Sequence, residues 1–340
     1  MKPLISLLLA SLIAMSLSAK TINDMEGRKV ILPDVTDRVF GSSPPMNYLL
    51  YSLNPDKMIG LNFKAKNPNN GADEKLLNQK FLKLPVIGSF HGGGQSINLE
   101  SLMAYKPQLV LVWQDDMLVQ TVAHEIEKTK IPTFMIPFRE INDMPRAFRL
   151  AGNAIGESKR GEMLAAYSQK IINEVRKNVS KEKPVRYYYA EGMDGLSSEC
   201  DKSFHVEAMN FAGGENVHKC QQSGILGLEK ISFETLLTYN PDVIVVQNRS
   251  VYNDLINDPM WKSLRAVKNG RIHLVPVQPF NWIDRPPSFM RVIGIQWLAS
   301  LFHPKAYKVD MTKRTKEFYD LFLHVNLTDQ EAKNLYGAKQ

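Results

Sequence analysis

Apolar residues follow two rhythms along this chain. Continuous apolar runs close by small residues or by Pro and Gly: RVFGSS, DKMIGLN, LPVIGSF, LVLVW, IPTFMIPF, VRYYYAEG, DVIVVQ and RIHLVPV. Runs of this length, without alternation, predict short strands buried on both faces of a parallel sheet. Between them lie stretches with helical spacing, such as PPMNYLLYSL, NLESLMAYK, SFETLLTYN and the strongly apolar SFMRVIGIQWLASLF. The alternation predicts an α/β fold. A charged helical tail is expected from Lys313 to Gln340.

One segment breaks the alternation. Met144, Ala147, Phe148, Ala151 and Ile155, then Leu164, Tyr167, Ile171 and Val175, recur at three- and four-residue intervals. This spacing predicts about 50 Å of helix, at 1.5 Å per residue, bent near Gly152 and Gly156. A helix-and-strand sentence is also written twice. NLESLMAYKPQLVLVW (98–113) aligns without a gap on SFETLLTYNPDVIVVQ (232–247), and Glu100 and Glu234 share one position in it. Two Rossmann-like lobes, each a central sheet flanked by helices, joined by one long α-helix, account for both features. The expected divisions are a leader at 1–19, a first lobe at 20–141, the linking helix at 142–180, and a second lobe with its tail at 181–340.

The leader reading rests on Lys2, the apolar run Leu4–Ile13 and the small residues Ser16, Ser18 and Ala19, a secretory signal pattern with cleavage after Ser18 or Ala19. The apolar run is short for a membrane span. With no cysteine at the cleavage site to carry a lipid, a freely soluble periplasmic protein is expected. Without Lys2, 41 basic side chains face 35 acidic ones. This surplus is spread along the chain with no interleaved aromatic platform, which argues against nucleic acid. The cysteines are Cys200 and Cys220. An oxidising compartment suits a disulfide between them, and a Cys₂His₂ metal site with His205 and His218 is the alternative.

The order of RVFGSSPP, LPVIGSFHGGGQSINLESLMAYKPQLVLV, FRLAGNAIGESKRGEMLAAY, MNFAGGENV, ISFETLLTYNPDVIVV and DPMWKSLRAVKNGRIHLVPV resembles the helical-backbone (class III) substrate-binding proteins of ABC importers. These carry ferric siderophores, cobalamin, haem and nickel chelates, and the resemblance covers nearly all of the mature chain. It implies two lobes with a ligand cleft between them and limited hinge motion. It also implies that Glu100 and Glu234 dock on arginines of an inner-membrane permease that works with an ATPase. Helix capping alone would also place acids in a first turn. The receptor is expected to act as a monomer with no intrinsic cofactor.

The cleft would be built from loops at the strand ends: 42–46, 90–95 and 113–116 in the first lobe, and 188–193, 248–251 and 280–285 in the second. They offer His91, Trp113, Gln114, Tyr189, Met193, Arg249, Trp282 and Arg285 as ligand-binding candidates. Aromatic faces with a few charges suit an organic chelate better than a bare ion. His91, among the glycines of GSFHGGG, is either a metal ligand completing a partly chelated ion or an uninvolved loop histidine. Arg249 and Arg285 either neutralise an anionic ligand or pair with acids such as Asp254 and Asp284. The two tryptophans are either stacking platforms or cleft wall. Ferric siderophore stands first among ligands, then a nickel chelate, then cobalamin or haem. HGGG also occurs as an esterase oxyanion loop, but no G-x-S-x-G elbow accompanies it, so a hydrolase is disfavoured and no enzyme is expected.

Overall fold

The structure, a computed structural model, describes residues 19–64, 74–90, 97–113, 117–138, 140–223 and 227–337. An antiparallel hairpin of β1 (Ala19–Asn23) and β2 (Lys29–Pro33) opens it. The first-half sheet has the order β3 (Val39–Gly41), β4 (Leu109–Val112), β5 (Thr133–Met135). The second half adds β6 (Val185–Ala190), β7 (Ser197–Ser198), β8 (Gly214–Asn216), β9 (Glu229–Lys230), β10 (Val243–Val246) and β11 (Ile272–Leu274). Its sheet runs β11-β10-β6-β8, with β7 and β9 paired apart. Both central sheets are parallel throughout. The fully buried strands of β4 and β10 are those the unbroken apolar runs predicted. Among the described residues no helix is long and apolar enough to cross a membrane.

The written repeat is a repeat of structure, in register. Val39, Leu109 and Val110 meet their sheet partners where Tyr187, Val243 and Ile244 meet theirs. The helices Leu99–Ala104 and Phe233–Tyr239 feed β4 and β10. Each is N-capped by a side chain, Asn98 on the Glu100 amide and Ser232 on the Thr235 amide. Each is followed by a left-handed residue, Lys106 (φ 47°) and Asn240 (φ 40°), and then by proline. An arginine entering the neighbouring strand closes both helices. Arg38 donates to the Tyr105 and Lys106 carbonyls, and Arg186 to those of Tyr239 and Asn240. The Arg38 and Arg186 carbonyls in turn accept from the Gln108 and Asp242 amides, at 2.8 Å in both halves.

The expected single helix over 142–180 is corrected to two, Met144–Ala154 and Ser158–Val179. The chain turns at Gly156, whose φ of 80° suits glycine. The reversal brings Gly152 against Gly161, so the apolar spacing that ran through both segments belongs to two packed helices. The longer helix spans 22 residues, about 33 Å. The tail is also more than a charged helix. Helices Met311–Phe318 and Asp329–Tyr336 flank a wide turn, Tyr319–Leu323, and bury Phe318, Tyr319, Phe322 and Leu323 in the main core. Arg160 of the longer helix donates to the Leu321 carbonyl, and Tyr51 to that of Leu323, which ties the end of the chain to the first half.

A Cβ on Gly161 would lie 2.6 Å from the Phe148 carbonyl oxygen. On an exposed helix Gly→Ala gains about 1 kcal/mol from propensity. Here overpacking should reverse the sign, so that Gly161→Ala loses roughly 1–3 kcal/mol in urea denaturation. A more stable variant would show that the helices do not cross tightly at this point.

Candidate functional site

Segments that follow the parallel strands of the two halves pack against each other. Tyr48 of the helix Pro44–Leu53 stacks on Phe280, with ring centroids 3.8 Å apart. Trp113, just beyond β4, is 3% exposed; its Nε1 donates to the Phe138 carbonyl and its ring meets Phe204 edge-on. At the end of β3, Asn47 accepts from the Gly41 amide and donates to Asn62, which donates to the Gly41 and Gly88 carbonyls. This closed amide knot fixes the strand end, and the Gly41 backbone must approach Asn47 closely to form it.

Several expected ligand-binding residues have other surroundings. Trp282 is a core residue, fully buried, its Nε1 shared between the Gln278 carbonyl and the Tyr319 hydroxyl. Tyr189 is also fully buried, and its hydroxyl donates to Gln247, which Asn281 also contacts. Neither ring is a stacking platform, because burial of a large aromatic side chain outweighs its display. Met193 is the reverse case, 84% exposed. His91 and Gln114 lie outside the described residues. Arg249 begins the helix Arg249–Leu255 after β10 and is half-buried. With Gln278, Lys75, Leu76, Glu331, Asn334 and Leu335 it lines a cavity of about 390 Å³. Two cationic side chains, one from each half, thus share a cavity with a single carboxylate.

Arg285 is not displayed as a cation for a ligand. Its guanidinium bridges the buried carboxylates of Glu191 and Glu199, with Asp284 at 3.9 Å. Sequence proximity suggested Asp284 as partner, yet Asp284 holds His205 Nδ1 at 2.7 Å and approaches Arg291 at 3.9 Å. Arg291, 1% exposed, donates to the Ile283 and Phe204 carbonyls and faces Glu207 at 3.5 Å. Glu191, Glu199, Glu207 and Arg291 are not among the residues the sequence singles out, and His205 is singled out there only as a metal-ligand candidate. The available signal was a set of charges flanking apolar runs in the second half, which pattern alone cannot pair. Glu191 follows β6 where Ser43 follows β3, and each leaves one buried oxygen without a partner among the described residues.

Cys200 and Cys220 are joined as a disulfide, with Cα atoms 5.0 Å apart. Their sulfurs are therefore not thiolate ligands, and His205 is engaged with Asp284. The expected alternative of a Cys₂His₂ site is thereby corrected. Glu100 and Glu234 are both exposed, each at the second position of its helix. The Glu234 carboxyl is held below its usual pKa by its own backbone amide and by Ser232.

Burial pushes the Glu191 carboxyl up to about 7 despite the Arg285 partner. For His205, burial works downward, but the Asp284 carboxylate outweighs it and raises the pKa. A carboxyl raised on folding leaves the native state holding the extra proton between the unfolded and folded values. Its stabilising contribution is present below about pH 4.5 and is lost as pH climbs towards 7. Glu191→Gln should flatten the decline in unfolding free energy between pH 5 and 7, by about 1–3 kcal/mol at 1.36 kcal/mol per pKa unit. An identical slope in both proteins would assign the proton elsewhere.

Comparison with known proteins agrees with this architecture. The family model for a periplasmic binding protein matches residues 55–279. A molybdate-binding protein of Haemophilus influenzae is 27% identical over 97% of this chain and 98% of its own length. A vitamin B12-binding protein of Vibrio parahaemolyticus is 22% identical over 74% and 84%. The solved structure of an ABC transporter solute-binding protein from Sulfurospirillum deleyianum is 36% identical, covers 93% of this chain and 98% of its own, and superposes with a TM-score of 0.87. Two parallel sheets with duplicated registers therefore carry a family as well as a fold: the chain belongs to the periplasmic binding proteins, which serve ABC transporters.

Proposed function

We propose that this protein captures a compact anionic metal species in the inter-lobe cleft and delivers it to an ABC permease, without catalysing a reaction on it. The observation that carries the reading is the cavity where Lys75 and Arg249, from opposite halves, are brought together. A ligand bridging two lobes gains from one cation on each side, because the bound anion then favours the closed arrangement. Its volume, about 390 Å³, lies at the small end of ligand pockets. Burial of Trp282 and Tyr189 withdraws two flat faces on which a macrocycle or aromatic siderophore would stack. An oxyanion or a metal–carboxylate complex therefore takes first place, ahead of the ferric siderophore that the sequence favoured. The relative named for molybdate supports the same order, since it matches nearly the whole chain. Nickel chelates, cobalamin and haem follow.

Calorimetric titration of the mature protein with molybdate, ferric citrate, a ferric hydroxamate, nickel–histidine and cobalamin tests this ranking. Molybdate or ferric citrate should bind most tightly, and Arg249→Ala should weaken that ligand by about tenfold, as expected for loss of a charged hydrogen-bonding partner. Tight binding of cobalamin with the arginine change silent would reject the anion reading.

Docking on the permease falls to Glu100 and Glu234, exposed and in register on the two halves. Replacing both by Ala should leave titration curves unchanged and abolish uptake in cells. Uptake that survives the double change would remove these residues from the docking role.

A further inference from the structure

Nine large hydrophobic side chains are exposed among the described residues. Scattered singly, such residues need no explanation. Two of them are not scattered. Met103, 46% exposed, and Leu237, 43% exposed, occupy the same position of the duplicated helix, 134 residues apart. No other two of the nine are related by that offset. Each stands three residues after the docking glutamate, at a spacing that puts both side chains on one helix face about 5–6 Å apart at Cβ. The residue just before each, Leu102 or Leu236, is fully buried, so the helix is anchored by one leucine while the neighbouring apolar residue stays in solvent.

We propose that each lobe docks through a two-part patch, a carboxylate and an apolar side chain one helical turn on, and that Met103 and Leu237 are its apolar halves. The proposal rests on the docking reading of Glu100 and Glu234 and adds the contact that would give the complex its lifetime. The occupant is the ABC permease, whose two halves would each present a cationic side chain beside an apolar seat. Two equivalent patches in one frame call for two equivalent sockets, and the exposed carboxylates call for positive charge. A surface ion pair alone contributes little, roughly 0–1 kcal/mol, and weakens with salt. An apolar side chain buried beside it excludes water from the pair and adds an attraction that salt does not screen. Both helices are placed by the same arginine clamp and by the same strand register, so the two patches are presented alike.

The test measures affinity of the ligand-free receptor for the nanodisc-reconstituted permease–ATPase complex whose loss abolishes uptake, at low and high salt. Three pairs are compared: Met103→Ser with Leu237→Ser, Glu100→Ala with Glu234→Ala, and the conservative Met103→Leu with Leu237→Met. The serine pair should bind about tenfold or more weakly, as for buried interface anchors. It should keep the wild-type salt dependence and lose part of the negative heat-capacity change of association. The alanine pair should lose the salt dependence, and the conservative pair should dock as wild type. Unchanged melting temperature and ligand titration would show that each variant is folded. Wild-type docking by the serine pair, with failure of the alanine pair, overturns the apolar contact and leaves the docking glutamates standing. Wild-type docking by both pairs overturns the docking reading itself.

Discussion

The interaction on which the layout depends is a small one, an arginine side chain laid across the end of a short helix. Arg38 and Arg186 each bind two carbonyls where the helix beside them ends, while their own backbone carbonyls accept from the residue that leads into the strand this helix feeds. A helix of six or seven residues is marginal by itself, since its nucleation cost is spread over few hydrogen bonds. The cation at its C-terminus satisfies orphan carbonyls and opposes the negative end of the dipole. Because one residue joins the helix end to the neighbouring strand, it also sets the helix against the sheet. Strand ends and helix starts are then fixed relative to one another in each half.

Charge burial in the second half follows a different rule. Arg285, Arg291 and His205 share four carboxylates, Glu191, Glu199, Glu207 and Asp284, in a region with little solvent. Removing one member would strand its partner, so such a network is costly to break even where it adds little net stability. It holds the segment from Phe280 to Arg291 against β6 and so shapes the wall that faces the first half. What sequence reading took as a ligand-binding arginine is in this sense part of the wall.

The legible parts of the molecule were those set by local rules. Apolar runs gave β4 and β10 because a strand buried on both faces has no polar alternation to hide it. The repeat was visible because helix cap, left-handed residue, proline and strand each demand a residue type at a fixed spacing. The expected single long helix fails between Ile155 and Leu164, nine positions apart and so about half a turn out of phase, where Gly152 and Gly161 pack two helices against each other. Whether Trp113, Tyr189 and Trp282 line a cleft or fill a core depends on contacts made tens of residues away, with Phe204, Gln247 and Tyr319. The pairing of Arg285 with Glu191, 94 positions earlier, lies beyond any local pattern.

The two halves diverge in a telling place. Up to the last strand residue the duplicated modules agree: the clamp arginine, the capped helix, the left-handed residue, the proline and four buried strand positions. Immediately after it they part, Trp113 against Gln247 and Ser43 against Glu191, and these are the positions at the junction. A receptor must present a constant outline to its permease while fitting one ligand, and these demands fall on opposite ends of the same element. Keeping the helix side of the module alike in outline would preserve the two docking patches proposed above. Varying only the strand tips lets the cleft be asymmetric without moving them. On this reading the duplication is maintained by the partner and eroded by the ligand, which is why the repeat identified a transport receptor more readily than it identified the cargo.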